Sequence, residues 1–243
     1  MSELSADQTA TSAPSKAARA AMIVLKAVVI FAWFVGSLFI AAGRLDWLRG
    51  WIWASFFVVG IAAIGLIVRR RNPQVLEARS KWRAPQDTKR FDKIFLAVYL
   101  PLVLIHPAIA GLDACRYRWT SIPFAFVYPG VLLLYGALAL IVWALVVNPF
   151  AEASVRIQSD RGQTAITAGP YRLVRHPMYV GMIVMYVANS LILGSVWALG
   201  LSAVLAALVI WRTAQEDRTL RDELIGYQNY AARTRYRLLP GVW

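Results

Sequence analysis

The chain alternates long apolar blocks with short polar stretches, and the blocks are apolar all round, without the narrow stripe of a helix lying on a soluble core. Six such blocks stand out, at about 19–42, 47–68, 93–112, 123–147, 178–193 and 196–212. Most reach the ~20 residues a helix needs to cross a bilayer. The fifth is shorter, at roughly 16 residues or 24 Å of helical rise. Gly194-Ser195 joins it to the sixth with no charge in between. The pattern predicts an all-α fold: a polytopic membrane helix bundle of about six transmembrane helices, the last two forming a helical hairpin, followed by a cytoplasmic C-terminal helical segment. Three regions follow along the chain. Residues 1–18, rich in Ser, Thr and Ala, read as a disordered tail. Residues 19–154 carry four spans and a basic loop, and residues 155–243 carry the hairpin and the C-terminal segment. The first block is too long for a signal-peptide core and is expected to stay as a membrane helix, with Lys26 snorkelling from one end.

Composition strengthens this reading. Apolar residues make up 59% of the 243, ten are Trp, and the mean hydropathy is +0.54. The formal charge of +13 would suit nucleic acid if it lay on one soluble face, but it falls between apolar blocks, as in loops facing anionic lipid. Of the 26 Lys and Arg, only Arg44, Arg49, Arg116 and Arg118 fall on one side of a six-span arrangement and Lys26 within a span. All the rest fall on the other side. The positive-inside rule therefore predicts an integral protein of the inner or plasma membrane with both termini in the cytoplasm. A single Cys and two His leave no usual ligand set for a metal. No metal site and no nucleic-acid partner are expected.

Candidate chemistry sits in the polar stretches. The basic loop from Arg69 to Lys93, with Asn72-Pro73, Ala84-Pro85 and Trp82, reads as interfacial, and His106 in the third block as a buried, satisfied residue near its outer end. The loop before the fifth block differs. It runs through Arg161-Gly162-Gln163 to Gly169-Pro170-Tyr171 and Arg175-His176-Pro177. Pro177 suits the first helical turn, which puts His176 at the cap and aims free backbone N–H groups into the loop, a setting that favours an anionic group. Tyr171 and Tyr179 offer aromatic faces for a base or a cation. Where the sixth block ends, Arg212 and Glu216 share a helix face. The hairpin should bring them beside His176, with the active site on the cytoplasmic side. Farther on, Tyr227, Tyr230 and Arg233 recur at three-residue spacing. The plainer alternatives are an interfacial anchor for the loop and an ordinary ion pair for Arg212 and Glu216.

The run Gly169-Pro170-Tyr171, Arg175-His176-Pro177-x-Tyr179-x-Gly181, Glu216-Asp217-x-x-Leu220, Tyr227-x-x-Tyr230-x-x-Arg233 and Leu239-Pro240-Gly241 resembles the isoprenylcysteine carboxyl methyltransferase family over roughly residues 155–243. The resemblance implies a cytoplasm-facing pocket for S-adenosylmethionine and transfer of its methyl group to a lipophilic small-molecule or lipidated substrate arriving through membrane lipid. It assigns Gly169, Tyr171, Arg175, His176, Pro177 and Tyr179 to the cofactor, with the loop from Gln163 to Ile166 closing over it. Glu216 would hold the ammonium group, and Arg212 and Arg233 would act on the substrate. The sequence departs from the family pattern at Thr234-Arg235, where Val-Pro is usual. A carboxylate acceptor needs no general base, whereas a thiol or amine would need one, and His176 is the only imidazole nearby. A nicotinamide-dependent reductase of the sterol reductase type, which shares an Arg-His-x-x-Tyr turn, and a non-catalytic membrane protein are the competing expectations.

Overall fold

The computed structural model describes residues 16–80 and 87–243. The expected tail before residue 16 and Lys81 to Gln86 of the basic loop, Trp82 and Pro85 included, lie outside the described residues, as does the Lys26 side chain. Eight α-helices are seen among the described residues: α1 (Lys16–Ala42), α2 (Leu48–Arg71), α3 (Pro73–Ser80), α4 (Arg90–Gly111), α5 (Val127–Val147), α6 (Pro177–Leu193), α7 (Val196–Glu223) and α8 (Tyr227–Arg233). Lys16 to Ala18 are thus helical rather than tail. The Ala-rich run Lys-Ala-Ala-Arg-Ala-Ala has the propensity to extend α1 backward.

Among the described residues, four elements are long and apolar enough to cross a membrane: Leu48–Arg71, Arg90–Tyr117, Phe124–Val147 and Val196–Glu223. α6 falls short of that length, and α1 spans Lys16–Ala42 but is described in full only from Val28 on. Four of the about six expected spans are thus seen among the described residues. α6 fails the length test because Pro177 starts it and Gly194, at φ 81°, ends it in the left-handed conformation. Ser195 caps the next helix at once, accepting from the Ala198 N–H at 2.9 Å. The expected hairpin is thus present, set by one Gly and one Ser.

Packing makes α6 the centre of the bundle. It lies along α5 and α7 and also touches α2 and α4. Two glycines allow the α5–α6 approach: a Cβ at Gly130 would lie 2.9 Å from Ile192 Cγ1, and one at Gly181 would lie 2.9 Å from the Ala137 carbonyl and 2.6 Å from Ile141 Cγ1. Leu38, Trp53, Ala110, Leu134, Ile192 and Ala198 form one buried apolar cluster and Phe95, Tyr99, Tyr186, Leu205 and Val209 another. His106 is buried as expected, its Nε2 between Ser190 Oγ (3.2 Å) and Ser202 Oγ (3.1 Å). Beyond α4 a π-helical turn, Leu112–Tyr117, carries the buried Asp113, which accepts from Thr120, Ser195 and the Trp197 N–H and so ties α4 to the start of α7.

The largest departure from expectation is the length of α7. The apolar block ends at residue 212, yet the helix runs on to Glu223. Arg212 and Glu216 therefore stand on one helix as expected, and Asp217 and Leu220 continue the same rod.

A cleft between the hairpin and the C-terminal segment

Between the open end of the hairpin, α8 and the chain from Asn148 to Ile166 lies a cleft whose space, open mouth included, is about 800 Å³. Its far wall is α7. Asp217 is fully buried there and gathers the surrounding elements. It accepts from Arg175 (Nε at 2.7 Å, Nη2 at 3.1 Å), Arg237 Nε at 2.9 Å and the Tyr227 hydroxyl at 3.1 Å, and Arg221 Nε lies 3.1 Å away. Arg175 also donates to the carbonyls of Thr234 and Arg235, at 2.7 and 2.6 Å. The backbone N–H groups of Arg175 and His176 bond Tyr236 and Arg237 carbonyls. The loop before α6 is thus clamped to the C-terminal segment through one carboxylate. A buried acid so paired is costly to orphan, at about 3–5 kcal/mol.

One turn nearer the membrane, Arg212 lies in the cleft wall. Its Nε is 2.8 Å from Asp92 Oδ1 of α4, Nη2 donates to the Ala153 carbonyl at 2.8 Å, and the guanidinium rests over the rings of Phe95 (4.7 Å) and Tyr179 (5.4 Å). Asp92 is fully buried and its other oxygen accepts the Val155 N–H at 2.7 Å. Glu216 accepts from the Tyr179 hydroxyl at 2.5 Å. The His176 and Tyr179 rings stack, with planes 3° apart and centroids at 5.7 Å, and His176 Nε2 stands 3.5 Å from Asp217.

The opposite wall is built by the chain after α5. Arg156 bridges Glu152 (2.9 Å) and Asp160 (2.8 Å), which raises the guanidinium pKa and lowers that of Asp160. The Gln163 side chain accepts the Gln158 N–H at 2.7 Å, closing this loop on itself. Asn148 donates to the Tyr171 hydroxyl at 2.9 Å, while burial pushes that phenol up to about 12, and burial raises Tyr227 and Tyr230 as well. These tyrosines stay protonated and serve as donors and aromatic faces.

Of the residues predicted for the site, Gln163, Ile166, Tyr171, Arg175, His176, Tyr179, Arg212 and Glu216 line the cleft. Gly169, Pro177 and Arg233 do not. Gly169, at φ 58°, makes the turn into Pro170 with its α-carbon against Trp143, where a Cβ would lie 2.9 Å from the indole nitrogen. Pro177 starts α6 and is buried. Arg233 is exposed, because three-residue spacing does not hold a helical face: two such steps from Tyr227 rotate about 120° off it. The buried stripe follows Tyr227, Tyr230, Ala231 and Thr234 instead. Arg175 lines the cleft, but all its donors except those facing Asp217 are taken by carbonyls. Sequence reasoning assigned no role to Asp92, Asn148, Glu152 or Arg156. A lone acid at the edge of a membrane block was the available signal for Asp92, and the i,i+4 spacing for Glu152 and Arg156.

Residues 125–223 match the family model described as phospholipid methyltransferase. This stretch runs from the entry to α5 to the last residue of α7 and so contains most of the cleft. The match is to a family of methyltransferases and covers less than half of the chain; S-adenosylmethionine is the cofactor of that family. No curated protein matches the chain. The chemistry of the cleft fits the cofactor: a cationic sulfonium and ammonium call for a carboxylate, which Glu216 offers, and an adenine calls for flat apolar faces, which Tyr171, Tyr179, Tyr227 and Tyr230 offer.

Proposed function

We propose that the protein transfers a methyl group from S-adenosylmethionine to the carboxylate of a lipophilic acceptor, such as an isoprenylcysteine-like group, that reaches the cleft through the bilayer. The observation that carries this is the placement of Arg212. Its guanidinium stands in the cleft wall where α7 meets the apolar cluster of Phe95 and Tyr179, and Nη1 makes no hydrogen bond among the described residues. Asp92 balances its charge and fixes its plane, so Arg212 orients an acceptor carboxylate by directed hydrogen bonds. Glu216 takes the cofactor's ammonium group, His176, Tyr171 and Tyr179 supply flat faces, and the loop from Gln163 to Ile166 covers it. Arg175, Gly169 and Pro177 shape this pocket without touching its contents, and Arg233 has no part in it. When bound, the cofactor supplies a carbon already activated for displacement, so positioning by the protein can carry much of the acceleration.

The same reading places six helices in the inner or plasma membrane, with α6 as the short member, both termini cytoplasmic and the cleft on that side. The balance of Lys and Arg supports it. A second reading is drawn from the matched family's description: an aminophospholipid acceptor. That reaction needs a proton acceptor, for which His176 beside Asp217 is the candidate. Membranes containing the protein, incubated with methyl-labelled cofactor and a total lipid extract supplemented with a prenylcysteine, separate the two. A base-labile methyl ester supports the carboxylate, label on a phospholipid amine supports the second reading, and no labelled lipid in either class contradicts both.

A further inference from the structure

A second cavity lies away from the cleft, among α1, α2, α4, α5 and α6, with a space of about 820 Å³ when its open mouth is included. Its walls are almost wholly apolar, with Phe34, Trp53 and Phe57 prominent. Besides Trp53, the side chains with polar groups that line it are His106, Asn189 and Tyr186, whose hydroxyl pairs with that of Tyr99. The imidazole Nε2 is already engaged by Ser190 and Ser202. The Asn189 side chain is half-buried, and its carboxamide makes no hydrogen bond among the described residues, which leaves it free for a ligand. Asn189 follows Pro177 by twelve residues of α6, which places it roughly 18 Å along the helix from the cleft end. It is therefore remote from the methyl-transfer site.

We propose that this cavity binds a neutral lipophilic alcohol from the membrane, its apolar body against the aromatic wall and its hydroxyl on the Asn189 carboxamide. The chemistry narrows the occupant from both ends. No charged side chain lines the cavity, so a charged headgroup would enter uncompensated. A pure hydrocarbon would leave both the carbonyl and the NH₂ of Asn189 unpaired. A hydroxyl donates to the first and accepts from the second. An apolar lining with a polar anchor is the chemistry of a ligand pocket. Gly60, Ile64 and Leu138 also line a wider groove of about 1170 Å³ between α2 and α5, which offers a way in from the bilayer. The proposal is independent of the identity of the methyl acceptor.

The test uses purified full-length protein in detergent with 1-hexadecanol and n-hexadecane as probes, read by thermal unfolding. Hexadecanol should raise the melting temperature saturably in the wild type, hexadecane should not, and Asn189→Leu should weaken the hexadecanol response by about tenfold or more. S-adenosylhomocysteine binding checks that the variant is folded, with Asn189→Ala read in its place where it is not. A diazirine-bearing hexadecanol should label peptides of α2 and α6, with unlabelled hexadecanol competing. Equal responses to alcohol and alkane, equal responses of wild type and variant, or label spread evenly over all lipid-facing helices would overturn the proposal.

Discussion

Asp217 and Glu216 are adjacent on α7, yet they do different work, and the difference is measurable. Asp217 is sealed and holds Arg175, Arg237 and Tyr227. Glu216 lines the cleft and bonds one tyrosine. Replacing Asp217 with Ala orphans a buried guanidinium, so thermal unfolding in detergent should register a loss of about 3–5 kcal/mol along with the cofactor pocket. Asp92→Asn should keep cofactor binding and lower turnover, because it loosens Arg212 alone; equal loss of both would remove Asp92 from that role. In the sequence, Glu216 was legible because an acid next to an arginine at four-residue spacing suggests a ligand or a pair. Asp217 stood in the motif but its clamping role was not legible, since its partners Arg175 and Arg237 lie 42 and 20 residues away and no local pattern links them.

At the scale of the elements, the apolar blocks announced the helices and the Gly-Ser pair announced the hairpin. What they did not announce was where helices continue without apolar residues. α7 runs eleven residues past Arg212 because its polar turns, Thr-Ala-Gln-Glu-Asp-Arg-Thr-Leu, are made of adequate helix formers and are supported on one side by α8 and the loop. The stripe of Tyr227, Tyr230 and Arg233 failed by rotation, which is a matter of counting 3.6 residues per turn more strictly. The contact of α5 with α6 rests on Gly130 and Gly181. Gly181→Val should therefore force the helices apart and destabilise the protein by about 1–3 kcal/mol, seen as a lower melting temperature. Gly65→Ala, at a position where an added Cβ meets nothing within 4 Å, serves as the control and should leave that temperature unchanged or slightly higher.

For the whole molecule, the distribution of charge and the geometry of the cleft agree. The loops that build the cleft are the basic ones, and the exposed apolar side chains of α2 and α5, among them Val58, Val59, Leu66, Leu132 and Tyr135, face outward where a bilayer would cover them. Cysteines introduced at Ser159 and Leu45 should react with a membrane-impermeant thiol reagent from opposite sides of sealed vesicles; reaction from the same side would refute the six-span arrangement. The central claim is that the two halves of the cleft, the start of α6 and the polar end of α7, hold S-adenosylmethionine together. Isothermal titration of S-adenosylhomocysteine into the purified protein tests it most directly. One saturable site is expected, weakened about tenfold or more by either His176→Ala or Glu216→Gln with unfolding temperatures unchanged. Absence of binding, or binding that both substitutions leave intact, would contradict it.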